Sequence, residues 1–289
     1  MKTGGVLLAG GRGTRLYPNT KYLNKHLMPM YDKPMIYYSL SIFLLSGIKN
    51  VVLVCNTGET QIFKKLLGDG SELGMNILYS EQESPNGIPD AISRALEVQN
   101  FDKFLVVLGD NFIFGEKFFT RFEEIFDKSN YSSIFSQNVN NPENFGVVEI
   151  QDNKVFSLTE KPIEFISNKA VIGVYIFDDT FNNHFENITK SKRGEYEILD
   201  IVKSYGLENI NHNSIGRGTA WFDMGSSDDF LNCSQFVRTI QKRQGLLVCS
   251  PHEIAYRNGW IEEKNLLNYI KTIENSEYSE NLLKVLESE

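Results

Sequence analysis

The sequence predicts an α/β fold, a mostly parallel sheet covered by helices on both faces, and three observations carry that prediction. Short β-branched runs recur at 5–8, 51–55 and 104–108. Between them, segments 35–45, 60–67 and 89–98 carry apolar residues three and four apart, the spacing of amphipathic helices. Strand then helix, repeated, implies right-handed crossovers and a parallel sheet with both faces buried. Such an arrangement is Rossmann-like.

Further along, a helix is expected at 117–126 and a strand at 133–137. From about residue 130 the rhythm changes. Residues 145–161 read as a hairpin turning at Asp152-Asn153, and 170–177 reads as another strand. An insertion of this kind commonly walls a substrate pocket. Beyond Ser226 the pattern is almost wholly helical, at 228–241, 251–256, 263–273 and 279–286. The expected division is therefore a core with its β insertion over 1–225 and a helical subdomain over 226–289, the latter suited to oligomerisation or regulation.

The 289 residues carry a net charge of −8 and 41% hydrophobic residues. That is enough chain to bury a sizeable core. No Lys/Arg-rich run is present, which argues against a nucleic-acid partner. No apolar stretch approaches 18 residues, and the N-terminus lacks a charged-then-apolar leader, so a cytoplasmic protein without a membrane partner is expected. Cys55, Cys233 and Cys249 are far apart and suit a reducing compartment.

The most telling segment follows the first strand: Leu8-Ala9-Gly10-Gly11-Arg12-Gly13-Thr14-Arg15-Leu16-Tyr17-Pro18. Three glycines in four positions let the backbone approach a ligand and turn its N–H groups inward, while Arg12 and Arg15 offer cationic forks for phosphate oxygens. A Walker loop would need Lys after Gly13, and a dinucleotide fingerprint would need Gly at position 16. Neither fits. A nucleoside triphosphate is the expected ligand, against the plainer reading of a turn that only reverses the chain.

The wider pattern, Gly11-x-Gly13-Thr14-Arg15-Leu16-x-Pro18, Lys25-x-Leu27-x-Pro29 and Lys33-Pro34-Met35-Ile36, resembles the sugar-1-phosphate nucleotidylyltransferase family. Within it, the likeness is strongest to the bacterial thymidylyltransferases that act on glucose 1-phosphate. Tyr31-Asp32-Lys33-Pro34-Met35-Ile36-Tyr37-Tyr38, Leu67-Gly68-Asp69-Gly70-Ser71, Val107-Leu108-Gly109-Asp110-Asn111 and Arg243-Gln244-Gly245-Leu246 extend it over nearly the whole chain. The resemblance implies that a sugar-1-phosphate oxygen attacks the α-phosphorus of dTTP in line and pyrophosphate leaves, at the head of a dTDP-rhamnose or other deoxysugar route. Such a reaction needs aligned polyanions, local cations and Mg²⁺ rather than a nucleophile.

Residue roles carry over position by position. The resemblance places Leu8, Gly10, Gly11, Gly13 and Thr14 around the nucleotide, gives Arg15 and Lys25 the triphosphate, and gives Gln82 with the Gly87 backbone the base. It makes Asp110 and Asp223 the Mg²⁺ ligands, with Asp110 also catalytic. Lys161 and Arg193 would grip the sugar phosphate, Glu160 would take sugar hydroxyls, and Gly146 and Val171 would line the ring. Read from the residues alone, Arg15 and Lys25 also fit solvated surface charges, Glu160-Lys161 a surface ion pair, and Asp223 a turn or capping residue. Asp110 stands on firmer ground, because it closes an apolar strand at the sheet edge where α/β proteins bind ligands.

Three departures from the family pattern bear on substrate choice: Gly87-Ile88-Pro89-Asp90-Ala91 where relatives have Gly-Leu-Ala-x-Ala, His26 where they commonly have Gln, and Phe145 where they commonly have Tyr. They keep open UTP in place of dTTP and an amino or deoxy sugar phosphate in place of glucose 1-phosphate. An inactive nucleotide-sugar-binding regulator is the reading from another class. The resemblance also implies a homotetramer.

Overall fold

The computed structural model describes residues 1–129 and 131–287. In chain order the first half runs β1 (Thr3–Leu8), a two-strand clip of β2 (Pro29–Met30) and β3 (Lys33–Pro34), α1 (Met35–Leu45), β4 (Asn50–Asn56), α2 (Thr60–Leu67), β5 (Asn76–Gln82), α3 (Ile88–Val98), β6 (Lys103–Leu108) and β7 (Asn111–Phe114). The second half continues α4 (Glu116–Thr120), α5 (Phe122–Lys128), β8 (Ser132–Asn138), β9 (Gly146–Gln151), β10 (Lys154–Glu160), β11 (Lys169–Asp178), α6 (Phe181–Phe185), α7 (Ile198–Ser204), β12 (Ile210–Ser214) and β13 (Ala220–Asp223). Four helices close the chain: α8 (Ser227–Gln244), α9 (Pro251–Arg257), α10 (Glu263–Thr272) and α11 (Glu277–Glu287).

Nine strands form one sheet with the central path β10-β9-β11-β6-β1-β4-β5, and β8 and β12 join it beside β11. The pairs β6/β1, β1/β4, β4/β5 and β12/β8 are parallel, while β11 is antiparallel to its neighbours. The expected α/β fold with a mostly parallel sheet is therefore the one observed. Alternation along the strands sorts the core into two faces. Leu7, Leu53, Leu105 and Val107 pack with α1. Val6, Val52, Val54 and Val106 pack with α3 and α7. Ten residues of α1 are buried, because α1 lies between the sheet and α9. Ile254, Leu266, Ile270 and Leu282 of the last three helices join that same apolar cluster.

The β9–β10 hairpin turns where expected, with Asp152 at φ 50° and Asn153 at φ 61°, the left-handed pair that a two-residue turn requires. The helix expected at 117–126 is two helices broken at Arg121. Pro89 sits in the first turn of α3, where its missing N–H would have had no helical partner.

Candidate active site

The carboxyl ends of β1, β4 and β6 converge on a cleft of about 500 Å³. Leu8, Gly10, Gly11, Gly13, Thr14, Lys25, Gln82, Gly87 and Asp110, all expected site residues, line it together with Arg12, His26, Pro85 and Glu195. Arg15 is not on that lining.

The glycine loop is held from beneath by the neighbouring strand. Ala9 N donates to Val54 O at 2.7 Å, and Gly11 N donates to Asn56 Oδ1 at 2.9 Å. Gly11 and Gly13 take φ of 96° and 57°, and the Thr20 hydroxyl donates to Gly13 O at 2.6 Å. One loop N–H that the sequence assigned to phosphate is thus occupied by Asn56.

Asn56 belongs to a network centred on Glu59, just ahead of α2. Glu59 Oε2 accepts from Asn56 Nδ2 at 2.9 Å and from Asn24 Nδ2 at 2.7 Å. Asn24 also donates to Ala9 O, so its Oδ1 faces His26 as an acceptor, and His26 Nδ1 carries the proton at 2.8 Å from it. Burial, then the adjacent Lys25 charge, lower the His26 pKa to about 3, so the imidazole is neutral at pH 7. Gly109 leaves room for this ring: a Cβ there would lie 2.7 Å from His26 Cδ2.

Beside His26, Lys25 Nζ donates to Asp110 Oδ2, closing an ion pair between residues 85 apart in sequence. Burial alone would raise the Asp110 pKa, but the charge and hydrogen bond of Lys25 overrule it and hold the carboxyl well below its ordinary range. Asn111 Nδ2 supports Asp110 Oδ1 at 3.1 Å. β13 lies antiparallel to β7 with Asp223 opposite Asn111, and Met224 N donates to Asp110 O at 2.9 Å. Burial and then the Asp110 charge push the Asp223 pKa up to about 7, against the pull of Lys25 and Arg15. The Arg15 guanidinium covers Gly225, where a Cβ would come within 2.5 Å of it.

A carboxylate whose proton affinity is raised by burial and by a neighbouring carboxylate, as that of Asp223 is by Asp110, suits a hard cation. Mg²⁺ is commonly held by one or two carboxylates, its remaining positions going to water and substrate phosphate. Among the described residues no group of three or more His, Cys, Asp and Glu could enclose a metal. The donor set therefore fits an ion shared with a phosphate ligand and not a closed structural site.

On the opposite wall, Gln82 ends β5, and its Nε2 donates to Gly87 O at 3.1 Å and to Asp90 Oδ2 at 2.7 Å. Gly87 has φ 108° and bridges to Tyr196, whose carbonyl would lie 2.2 Å from a Cβ at that position. Tyr196 N donates to Asn86 O at 2.8 Å. Through this contact the segment around Gly87 is joined to the loop that carries Arg193.

The expected sugar-phosphate residues gather next to that loop. Gly146 pairs with Glu160 across β9 and β10, and a Cβ at Gly146 would stand 3.1 Å from Glu160 Oε2. Burial, then the Glu197 charge, raise the Glu160 pKa. Arg193 Nη2 lies 3.7 Å from Glu160 Oε1, but its main partner is Glu197, at 2.6 Å from Nη2 and 3.1 Å from Nε. Lys161 is exposed at φ 46°, with its N–H on Phe145 O. Val171 is buried in β11, one residue beyond the Ala170 that pairs with β9. Glu59, Asn56, Asn24, Asp90 and Glu197 carry no motif of their own, and only the fold shows their partners.

A family model described as Nucleotidyl transferase matches residues 4–240, and the chain belongs to that family. It is 39% identical over 285 residues to the glucose-1-phosphate thymidylyltransferase of Neisseria meningitidis serogroup A, covering 98% of this chain and 99% of that one. The protein of the same name from Mycobacterium tuberculosis is 40% identical with the same coverage. A crystal structure from Bacillus anthracis, assigned as a glucose-1-phosphate thymidylyltransferase and in complex with a sucrose, matches with a TM-score of 0.75 and 31% identity over 82% of this chain and 95% of that one. A UDP-glucose pyrophosphorylase complexed with UDP-glucose shares the fold, with a TM-score of 0.71 at 22% identity. The motif resemblance is borne out, and the protein is an enzyme of nucleotidyl transfer. Among the described residues no helix is long and apolar enough to cross a membrane.

Proposed function

We propose that this nucleotidyltransferase joins dTTP and α-D-glucose 1-phosphate, with Mg²⁺, to give dTDP-glucose and pyrophosphate. The observation that carries the reading is the Lys25–Asp110 pair, set in one cleft with the glycine loop and Gln82 and beside Asp223. The names of the relatives, at 39% and 40% identity over almost the whole chain, support the thymine and glucose assignments.

In this reading Arg12 and the free part of the glycine loop take the triphosphate, and Lys25 shifts from Asp110 toward the oxygens of the α-phosphorus as negative charge grows there. Asp110 and Asp223 hold Mg²⁺, which when bound neutralises phosphate charge. Arg15, beside Asp223, meets the departing pyrophosphate. Arg193 and Lys161 align the sugar phosphate, and Glu160 accepts from the sugar hydroxyls. His26, uncharged, packs beneath the nucleotide without adding to the positive field. The product would feed a route that modifies dTDP-glucose to a deoxysugar such as rhamnose, and the helical tail would serve assembly as a tetramer.

Steady-state rates with dTTP, UTP, CTP and ATP against glucose, galactose and glucosamine 1-phosphates test the assignment. The dTTP–glucose pair is expected to give the highest kcat/KM. A different leading pair would replace the substrate and keep the reaction class.

A further inference from the structure

We infer that Asp90 is a positioning residue for base selection, fixing the Gln82 amide so that it presents only its carbonyl oxygen to the cleft. The inference rests on the nucleotide-site reading above.

Gln82 Nε2 lies between two groups that can only accept: Gly87 O at 3.1 Å and the Asp90 carboxylate at 2.7 Å. Turning the amide over would set its oxygen against both. The side chain therefore has one stable orientation, with both N–H bonds used. Its Oε1 is left toward Gly10, 3.8 Å from where a Cβ on that residue would stand, and both residues line the cleft. Asp90 is 8% exposed, in the first turn of the eleven-residue α3, where a helix favours negative charge.

A fixed acceptor selects a base whose edge offers a ring N–H. Thymine and uracil offer N3–H, whereas cytosine presents a lone pair at N3 and adenine one at N1. Two acceptors facing each other leave both unpaired, which is why a site built on a buried polar contact rejects the wrong partner strongly. With Asp90 removed, Gln82 keeps only the Gly87 anchor, and its amide can turn an N–H toward the cleft and accommodate cytosine.

The test is equilibrium binding of UTP and CTP with Mg²⁺ to the full chain and to Asp90→Leu, Asp90→Ala and Asp90→Asn, each checked by thermal melting. UTP and CTP differ only at the edge that Gln82 would read. The wild type is expected to favour UTP, the Leu and Ala variants to narrow that ratio by about 10-fold or more, and Asn, whose Oδ1 can still accept from Gln82, to restore most of it. In turnover with UTP and with dTTP the change should appear in KM and not in kcat. If Leu fails to fold, the Ala and Asn pair reads the same ratio. An unchanged ratio in a variant that melts normally would overturn the inference, as would a wild type that does not discriminate. Discrimination without nucleotide-sugar formation would support the inference while removing the proposed reaction.

Discussion

Glu59 Oε2 and Asn24 Nδ2 lie 2.7 Å apart, and this contact ties the turn that carries Lys25 to the loop that carries Gly11. The same oxygen holds Asn56, which caps the Gly11 N–H. One carboxylate thus sets the spacing between the phosphate loop and the cation expected to act on the phosphate. Glu59→Ala is expected to raise KM for the triphosphate by about 10-fold, from the loss of hydrogen bonds to a charged group. Glu59→Gln keeps an acceptor and should recover part of it. Equal KM values in all three proteins would separate Glu59 from the loop.

Neither Glu59 nor its partners could be read from the sequence. Helices α1 and α2 and the strands at 5–8, 51–55, 104–108, 133–137 and 170–177 were legible because burial imposes periodicity. The two helices keep their predicted bounds, while the ends of these strands differ by one or two residues, as strand ends are decided by side chains outside the period. Asp110 was legible by its place after an apolar run. Lys25 was legible as a motif, but its bond to Asp110 spans 85 residues, and only the β1–β6 pairing brings the two segments together. Asn24, Asn56 and Glu59 look like ordinary turn residues. Their role is created by three loops meeting above parallel strands.

Lys25→Met removes the cation and leaves Asp110 buried beside a neutral side chain. Turnover should fall by ~100-fold or more, the scale of losing one preorganised group at developing charge. Lys25→Arg is not expected to rescue it, since a planar fork does not reproduce a point charge in that space. Rapid-quench measurement of the single-turnover rate separates this from a binding defect.

Gly87→Ala should lower stability by about 1–3 kcal/mol, because φ 108° suits glycine and the new methyl would meet Tyr196 O. The same change should loosen the loop carrying Arg193, so KM for the sugar phosphate is expected to rise with KM for the nucleotide. Urea unfolding and both KM values measure the two effects. A stable variant with ordinary KM values would show that the bridge to Tyr196 is dispensable.

His252 predicts an acid limb. It is buried in stacked contact with Tyr269, and burial lowers its pKa to about 3 from the usual 6.5. Between those values the unfolded chain binds a proton that the folded chain refuses. Its contribution is therefore complete above about pH 6.5 and is lost as pH falls toward 3. Melting temperature should drop steadily from pH 6.5 to 4.5, and His252→Phe, which keeps an aromatic ring but cannot be protonated, should flatten the slope. Parallel slopes would assign the acid limb elsewhere.

The most direct test of the central claim is product analysis. Purified protein would be mixed with dTTP, glucose 1-phosphate and Mg²⁺, with UTP in a parallel reaction, and pyrophosphate and nucleotide sugar quantified together. The account predicts dTDP-glucose and pyrophosphate in equal amounts, faster with dTTP than with UTP, and none after chelation of the metal. Pyrophosphate without dTDP-glucose, or no reaction with either triphosphate, would contradict it.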